Sequence, residues 1–294
     1  MDLTNTVVVG LDGSEHAQSA AEWAATWAQE RGQRLLLIAV HGTVASERRA
    51  TNAAWHWPDP TERRQQVDEV LDRASDELAA THPGLTVETL VLTADPVTAL
   101  VRASHEAALV VIGTRRLGGL TGKVLGSVAD ATVARAEGPI AVIPLYYKSR
   151  PGPVVLGFDL ASPPMNAARF AFEAARESGR PLMIATVEDP VRPLELVAPV
   201  HPDEDEIADE LAHREDQVEH ALAGLHAEYA DVPLEITVVP GLTARSLVAL
   251  GADAELLVVG TRGRSEWLGW LFGSVSRSVL RETTGPAVVI PEDH

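Results

Sequence analysis

The chain contains the same pattern twice. Gly10-Leu11-Asp12 returns as Gly157-Phe158-Asp159, 147 residues later. Gly113-Thr114-Arg115 returns as Gly260-Thr261-Arg262, and Gly126-Ser127-Val128 as Gly273-Ser274-Val275, at the same spacing. Gly138-Pro139 and Pro144 return as Gly285-Pro286 and Pro291. One constant spacing across a 294-residue chain means two copies of a domain of ordinary size. The copies are expected at 1–147 and 153–294. Tyr146–Pro153 reads as the joint, because charge, glycine and proline cluster there and neither helix nor strand tolerates that mixture.

Within each copy, strand and helix patterns alternate. In the first, strands are expected at Thr6–Leu11, Arg34–Val40, Thr86–Leu92, Ala108–Gly113 and Ile140–Ile143. Helices are expected at Ala17–Arg31, Thr61–Ala80, Val97–Ala107 and Ser127–Glu137, the last ended by Gly138. The second copy repeats the order, with strands at Pro153–Phe158, Pro181–Val187, Leu234–Val239, Glu255–Gly260 and Ala287–Ile290. Continuous apolar strands separated by helices imply a sheet covered on both faces, hence parallel. The fold class is therefore α/β, two tandem doubly wound parallel five-stranded sheets. The apolar fifth strands, Ile140–Ile143 and Val288–Ile290, would leave open edges if unpaired. Association through them is expected, within one chain or as a homodimer.

Charge and composition exclude several functions. The formal net charge is −18, which disfavours nucleic acid and anionic membrane surfaces as partners. There is no cysteine, so disulfides, thiolate metal sites and cysteine nucleophiles are ruled out. No apolar run approaches the length of a spanning helix. The start MDLTNT lacks the basic n-region of a secretory signal, so a cytoplasmic location is the expectation. G-x-S-x-G and G-x-G-x-x-G motifs are absent, which argues against an α/β-hydrolase or a dinucleotide enzyme. Gly118–Val124 only superficially resembles a Walker loop, since Val124 stands where a magnesium-binding hydroxyl is needed. His213, His220 and His226 share no consistent ligand spacing, and no protein metal site is expected.

In an open parallel sheet, ligands bind beyond the carboxyl ends of the strands. Asp12 and Asp159 end the first strands, and Gly113 and Gly260 end the fourth. Each aspartate could instead cap the helix that follows it. A loop of about a dozen residues then leads to Gly126-Ser127 or Gly273-Ser274. The serines are expected to cap those helices, whose N-terminal amides and dipole favour anions. Arg115, Arg116 and Lys123 in one loop, and Arg262 and Arg264 in the other, are local cations in an acidic chain. Trp23 and Trp27 read as core. Trp267 and Trp270, inside the second glycine loop, could close the pocket or form an interface.

The pattern G-x2-G-x9-G-[ST] is complete in the second copy as Gly260, Gly263, Gly273 and Ser274. With the aspartate ending strand one, it resembles the ATP-binding class of universal stress proteins, over essentially the whole chain in tandem form. The resemblance implies a Rossmann-like fold of the adenine nucleotide alpha hydrolase type. It implies ATP, with magnesium carried by the phosphates. Gly10 and Asp12, or Gly157 and Asp159, would line the adenosine pocket, with main-chain contacts to adenine near Val40 and Val187. Phosphates would lie against Gly113, Thr114, Arg115, Arg116, Lys123, Gly126, Ser127 and Val128, or against Gly260, Thr261, Arg262, Gly263, Arg264, Gly273, Ser274 and Val275. Two departures stand out: Arg116 replaces the second glycine in copy one, and Leu160-Ala161-Ser162-Pro163-Pro164 follows Asp159 in copy two. The expectation is a nucleotide-binding regulatory protein with little or no turnover. The alternatives are an interaction scaffold that has lost nucleotide, or a genuine ATP-using enzyme.

Overall fold

The computed structural model describes residues 2–41, 60–114, 125–147, 150–188, 204–261 and 273–292. It divides into two compact units, Met1–Tyr147 and Lys148–His294. In unit 1 the elements are β1 (Thr6–Leu11), α1 (Glu15–Glu30), β2 (Arg34–His41), α2 (Pro60–Thr81), β3 (Val87–Thr93), α3 (Pro96–Ser104), β4 (Leu109–Thr114), α4 (Ser127–Val133) and β5 (Ile140–Pro144). In unit 2 they are β6 (Val154–Gly157), α5 (Met165–Ser178), β7 (Leu182–Glu188), α6 (Glu204–Glu228), β8 (Leu234–Pro240), α7 (Thr243–Gly251), β9 (Leu256–Gly260), α8 (Ser274–Glu282) and β10 (Ala287–Ile290).

Each unit holds a five-stranded parallel sheet. Unit 1 runs β3-β2-β1-β4-β5, with Val8 level with Leu36 on one side and Val110 on the other. Unit 2 runs β8-β7-β6-β9-β10, with Val155 level with Met183 and Leu257. The chain winds outward from the central first strand, then crosses back to wind the other way. Right-handed crossovers therefore place α1 and α2 on one face and α3 and α4 on the other. The helices accordingly touch in those pairs, α1 with α2 and α3 with α4; unit 2 repeats this with α5 and α6, and α7 and α8.

Burial explains the strand composition. Val7, Val8, Val9, Val110 and Val111 are fully buried in unit 1, as are Val154, Val155, Leu156, Leu257 and Val258 in unit 2. Strands covered on both faces need apolar side chains at every position. Trp23 and Trp27 stack at 5.0 Å between ring centroids inside unit 1, which places them in the core. The Arg31 guanidinium lies 3.3 Å over the Trp27 ring.

Two local expectations are corrected. Helix α4 ends at Val133, not at Glu137. Gly138 therefore does not stop it; a Cβ at Gly138 would overlap the Ser104 carbonyl oxygen, so glycine is required there for close approach of two backbones. Ser127 and Ser274 are the first helical residues and do not cap. The N-caps are Gly126 (φ −55°, ψ 150°) and Gly273 (φ −58°, ψ 143°), and neither helix receives a side-chain cap bond.

Candidate functional site

The carboxyl ends of β1 and β4 diverge in unit 1, because α1 leads the chain to one side of β1 and β4 is reached from the other. A cavity of about 460 Å³ opens there. Gly10, Asp12, Val40, Gly113, Gly126, Ser127 and Val128 all line it. The matching place in unit 2, between β6 and β9, is a cavity of about 730 Å³. Gly157, Asp159, Val187, Gly260, Thr261, Gly273, Ser274 and Val275 line that one. Both volumes suit a small organic ligand. Residues distant in sequence thus meet at one mouth in each copy.

Thr114 is an exception. It is 7 % exposed and pairs with Pro144 in the sheet, so it does not line the cavity. Arg115, Arg116, Lys123, Arg262, Gly263 and Arg264, with Trp267, Trp270 and the Gly118–Val124 run, lie outside the described residues.

The two aspartates brace the mouths and do not cap helices. Asp12 Oδ1 accepts from the Ser14 backbone N–H at 3.0 Å and from the Ser14 hydroxyl. Ser14 is the true N-cap of α1, its Oγ accepting from the Ala17 N–H at 3.4 Å. Asp159 Oδ1 accepts from the Ala161 N–H at 2.9 Å. Each is a local turn that fixes the loop after strand one and turns the carboxylate toward the cavity mouth.

The cradle at the far side is made of backbone. Glycine at the N-cap supplies no side-chain acceptor to the first-turn N–H groups of α4 and α8. Among the described residues, a Cβ on Gly126 would meet nothing within 4 Å, and one on Gly273 only Ser276 Oγ at 3.7 Å. Space and donors therefore coincide where an anion would sit. In unit 2 the Ser276 hydroxyl donates to the Gly260 carbonyl at 2.8 Å, tying the start of α8 to the end of β9. In unit 1, Asp95 caps α3 beside Pro96 and Leu100, two lining residues. Its carboxylate accepts from the Thr98 N–H at 2.9 Å and the Thr98 hydroxyl at 2.8 Å, and those bonds hold its pKa below the usual carboxylate value. No group of three or more His, Asp or Glu among the described residues is placed to hold a metal ion.

Sequence reasoning missed several lining residues. Ile38, Pro96 and Leu100 in unit 1, and Ala185, Thr186, Arg214 and Thr243 in unit 2, carry no motif. Their signal is positional: most lie at strand carboxyl ends or the first turns of helices.

The sequence matches the model of the universal stress protein family twice, over residues 4–144 and 152–291. It is 31% identical over 312 residues to Universal stress protein Rv1996 of Mycobacterium tuberculosis, covering 98% of this chain and 96% of that one. It is 34% identical over 290 residues to Universal stress protein Rv2005c of the same organism, covering 96% of each. The fold is similar to the crystal structure of a universal stress protein from Archaeoglobus fulgidus, with a TM-score of 0.70, 18% identity and 99% of both chains covered. No helix among the described residues is long and apolar enough to cross a membrane.

Proposed function

Because the chain belongs to the universal stress protein family, as two tandem copies of its domain, we propose that it is a regulatory protein that binds ATP, with magnesium, in the pocket of one or both copies. One observation carries the reading: in both copies a glycine N-cap without a side-chain bond faces a cavity that also receives the strand-one aspartate. The first-turn amides of α4 and α8 hold the phosphates. Asp12 and Asp159 accept from the ribose hydroxyls, and Val40 and Val187 offer main-chain groups to the base. Magnesium, when bound, neutralises phosphate charge and is held through the phosphates. Occupancy then shifts the population of surface states that partners read.

Turnover is slow or absent in this reading. Asp12 and Asp159 are the acidic groups lining the described cavities, and both are committed to the nucleoside side. A homodimer belongs to this reading and is checked by light scattering on the purified chain. The decisive measurement is nucleotide extraction followed by mass identification, together with a thermal shift on adding ATP. Bound adenine nucleotide or a shift supports the proposal. Neither would favour a scaffold that has lost nucleotide, a reading to which the Leu160–Pro164 departure lends weight. Hydrolysis faster than about 1 s⁻¹ would make it an enzyme.

A further inference from the structure

The two cavities are not equivalent, and the duplication itself supplies the control. Along the second strand, unit 1 places Ile38 on the cavity wall and unit 2 places Ala185 at the matching position. Loss of three side-chain carbons there helps to open the second cavity to about 730 Å³, against about 460 Å³ in the first. Pro96 is matched by Thr243, a hydroxyl in place of a ring. The largest change is on the long helix. Unit 2 lines its cavity with Arg214 of α6, whereas the matching residue of α2 is Val67, and α2 adds nothing to the described lining of the first cavity.

Topology fixes where that cation stands. Helix α6 packs on β8 and beside α5, on the face opposite α7 and α8. The cradle Gly273–Val275 begins α8, beyond β9. In the order β8-β7-β6-β9, the helix that carries Arg214 and the cradle therefore approach the cavity from opposite sides, β8 and β9 being three strand spacings, or on the order of 14 Å, apart. Asp159 lies between them at the end of β6. Arg214 is half-buried, and one guanidinium N–H donates to Gln217 Oε1 at 3.2 Å. The Gln217 amide nitrogen in turn lies 3.1 Å from His213 Nε2, which fixes the orientation of the amide. A planar cation held in this way suits an anion with paired oxygens.

Resting on the nucleotide reading, we infer that unit 2 selects an adenine nucleotide carrying a second phosphate on its ribose 2′ or 3′ hydroxyl. The 5′ phosphate lies on the α8 cradle, Asp159 takes the remaining ribose hydroxyl, and Arg214 takes the second phosphate. The smaller first cavity, with Ile38 and no arginine from α2, makes no such selection.

The test is calorimetric titration of the full chain carrying Gly126→Asp, which blocks the first cradle. The probes are adenosine 5′-monophosphate, adenosine 3′,5′-bisphosphate and adenosine 2′,5′-bisphosphate. One bisphosphate is expected to bind at least about tenfold tighter than the monophosphate. Adding Arg214→Ala brings that ratio close to one, and Arg214→Lys, which keeps charge without the fork, retains part of it. Monophosphate binding with no preference, or a preference that survives Arg214→Ala, overturns this inference alone. Failure of all three probes and of ATP overturns the nucleotide reading, and this inference with it.

Discussion

The carboxylate of Glu292 caps helix α5 at Ala167: Oε1 accepts from the Ala167 backbone N–H at 2.9 Å, and Oε2 from that of Asn166 at 2.9 Å. The residue preceding α5 is Pro164, which has no side chain able to cap. A charge-assisted acceptor on two first-turn amides is worth about 1–2 kcal/mol. Glu292→Ala should lower the stability of unit 2 by that amount, read from urea unfolding. Glu292→Gln keeps an acceptor and should lose less.

Gly273→Asp separates folding from binding. The N-cap backbone at Gly273 (φ −58°, ψ 143°) accepts an L-residue, and among the described residues the Cβ meets only Ser276 Oγ at an ordinary 3.7 Å. Aspartate is a preferred N-cap and glycine an acceptable one, so α8 should gain only about 0.3 kcal/mol. The same carboxylate occupies the anion cradle, so nucleotide affinity of unit 2 should fall at least about tenfold. A protein that folds as well as the parent and binds equally well would contradict the cradle assignment.

Asp95 should give unit 1 a pH-dependent increment of stability. Its folded pKa lies below the usual carboxylate value because the Thr98 N–H and hydroxyl bind the ionised form. The increment is therefore complete above the unfolded pKa and is lost as pH falls through the folded one. Asp95→Ala should cost about 1 kcal/mol at pH 7, and the difference from the parent should shrink as the pH is lowered toward 3. Denaturation at both pH values checks the sign.

Ala185→Ile tests the size difference between the cavities. Ala185 is 1% exposed, and isoleucine there copies Ile38 of unit 1. The added methyl groups should narrow the second cavity and weaken its largest ligands most. Overpacking costs about 1–3 kcal/mol of stability, measurable by thermal unfolding.

How much of this was legible in the sequence depends on how local each cause is. The central strands were readable because, covered on both faces, they are apolar at nearly every position, and the duplication supplied a second reading of every element. Helix α4 was overextended because glycine before proline usually marks a helix end, whereas Gly138 answers to Ser104, on another helix. The serine caps were misassigned because Gly-Ser does not reveal which residue is helical. Glu292 was invisible as a cap, since its partners lie 125 and 126 positions away. Arg214 was hidden in a helix that reads as a solvated charged face, and only the sheet order brings it to the cavity.

The two copies thus begin their first helices by different routes. Ser14 anchors α1 from within its own turn, so that its cap is in place as soon as its first turn has been made. The anchor of α5 arrives only after β10, 125 residues beyond Ala167. On the ribosome, the amino-terminal copy can finish while its twin is still being synthesised. The twin's leading helix stays loosely fastened until β10 and Glu292 have been made, and a chain cut just before Glu292 should show rapid hydrogen exchange at Asn166 and Ala167.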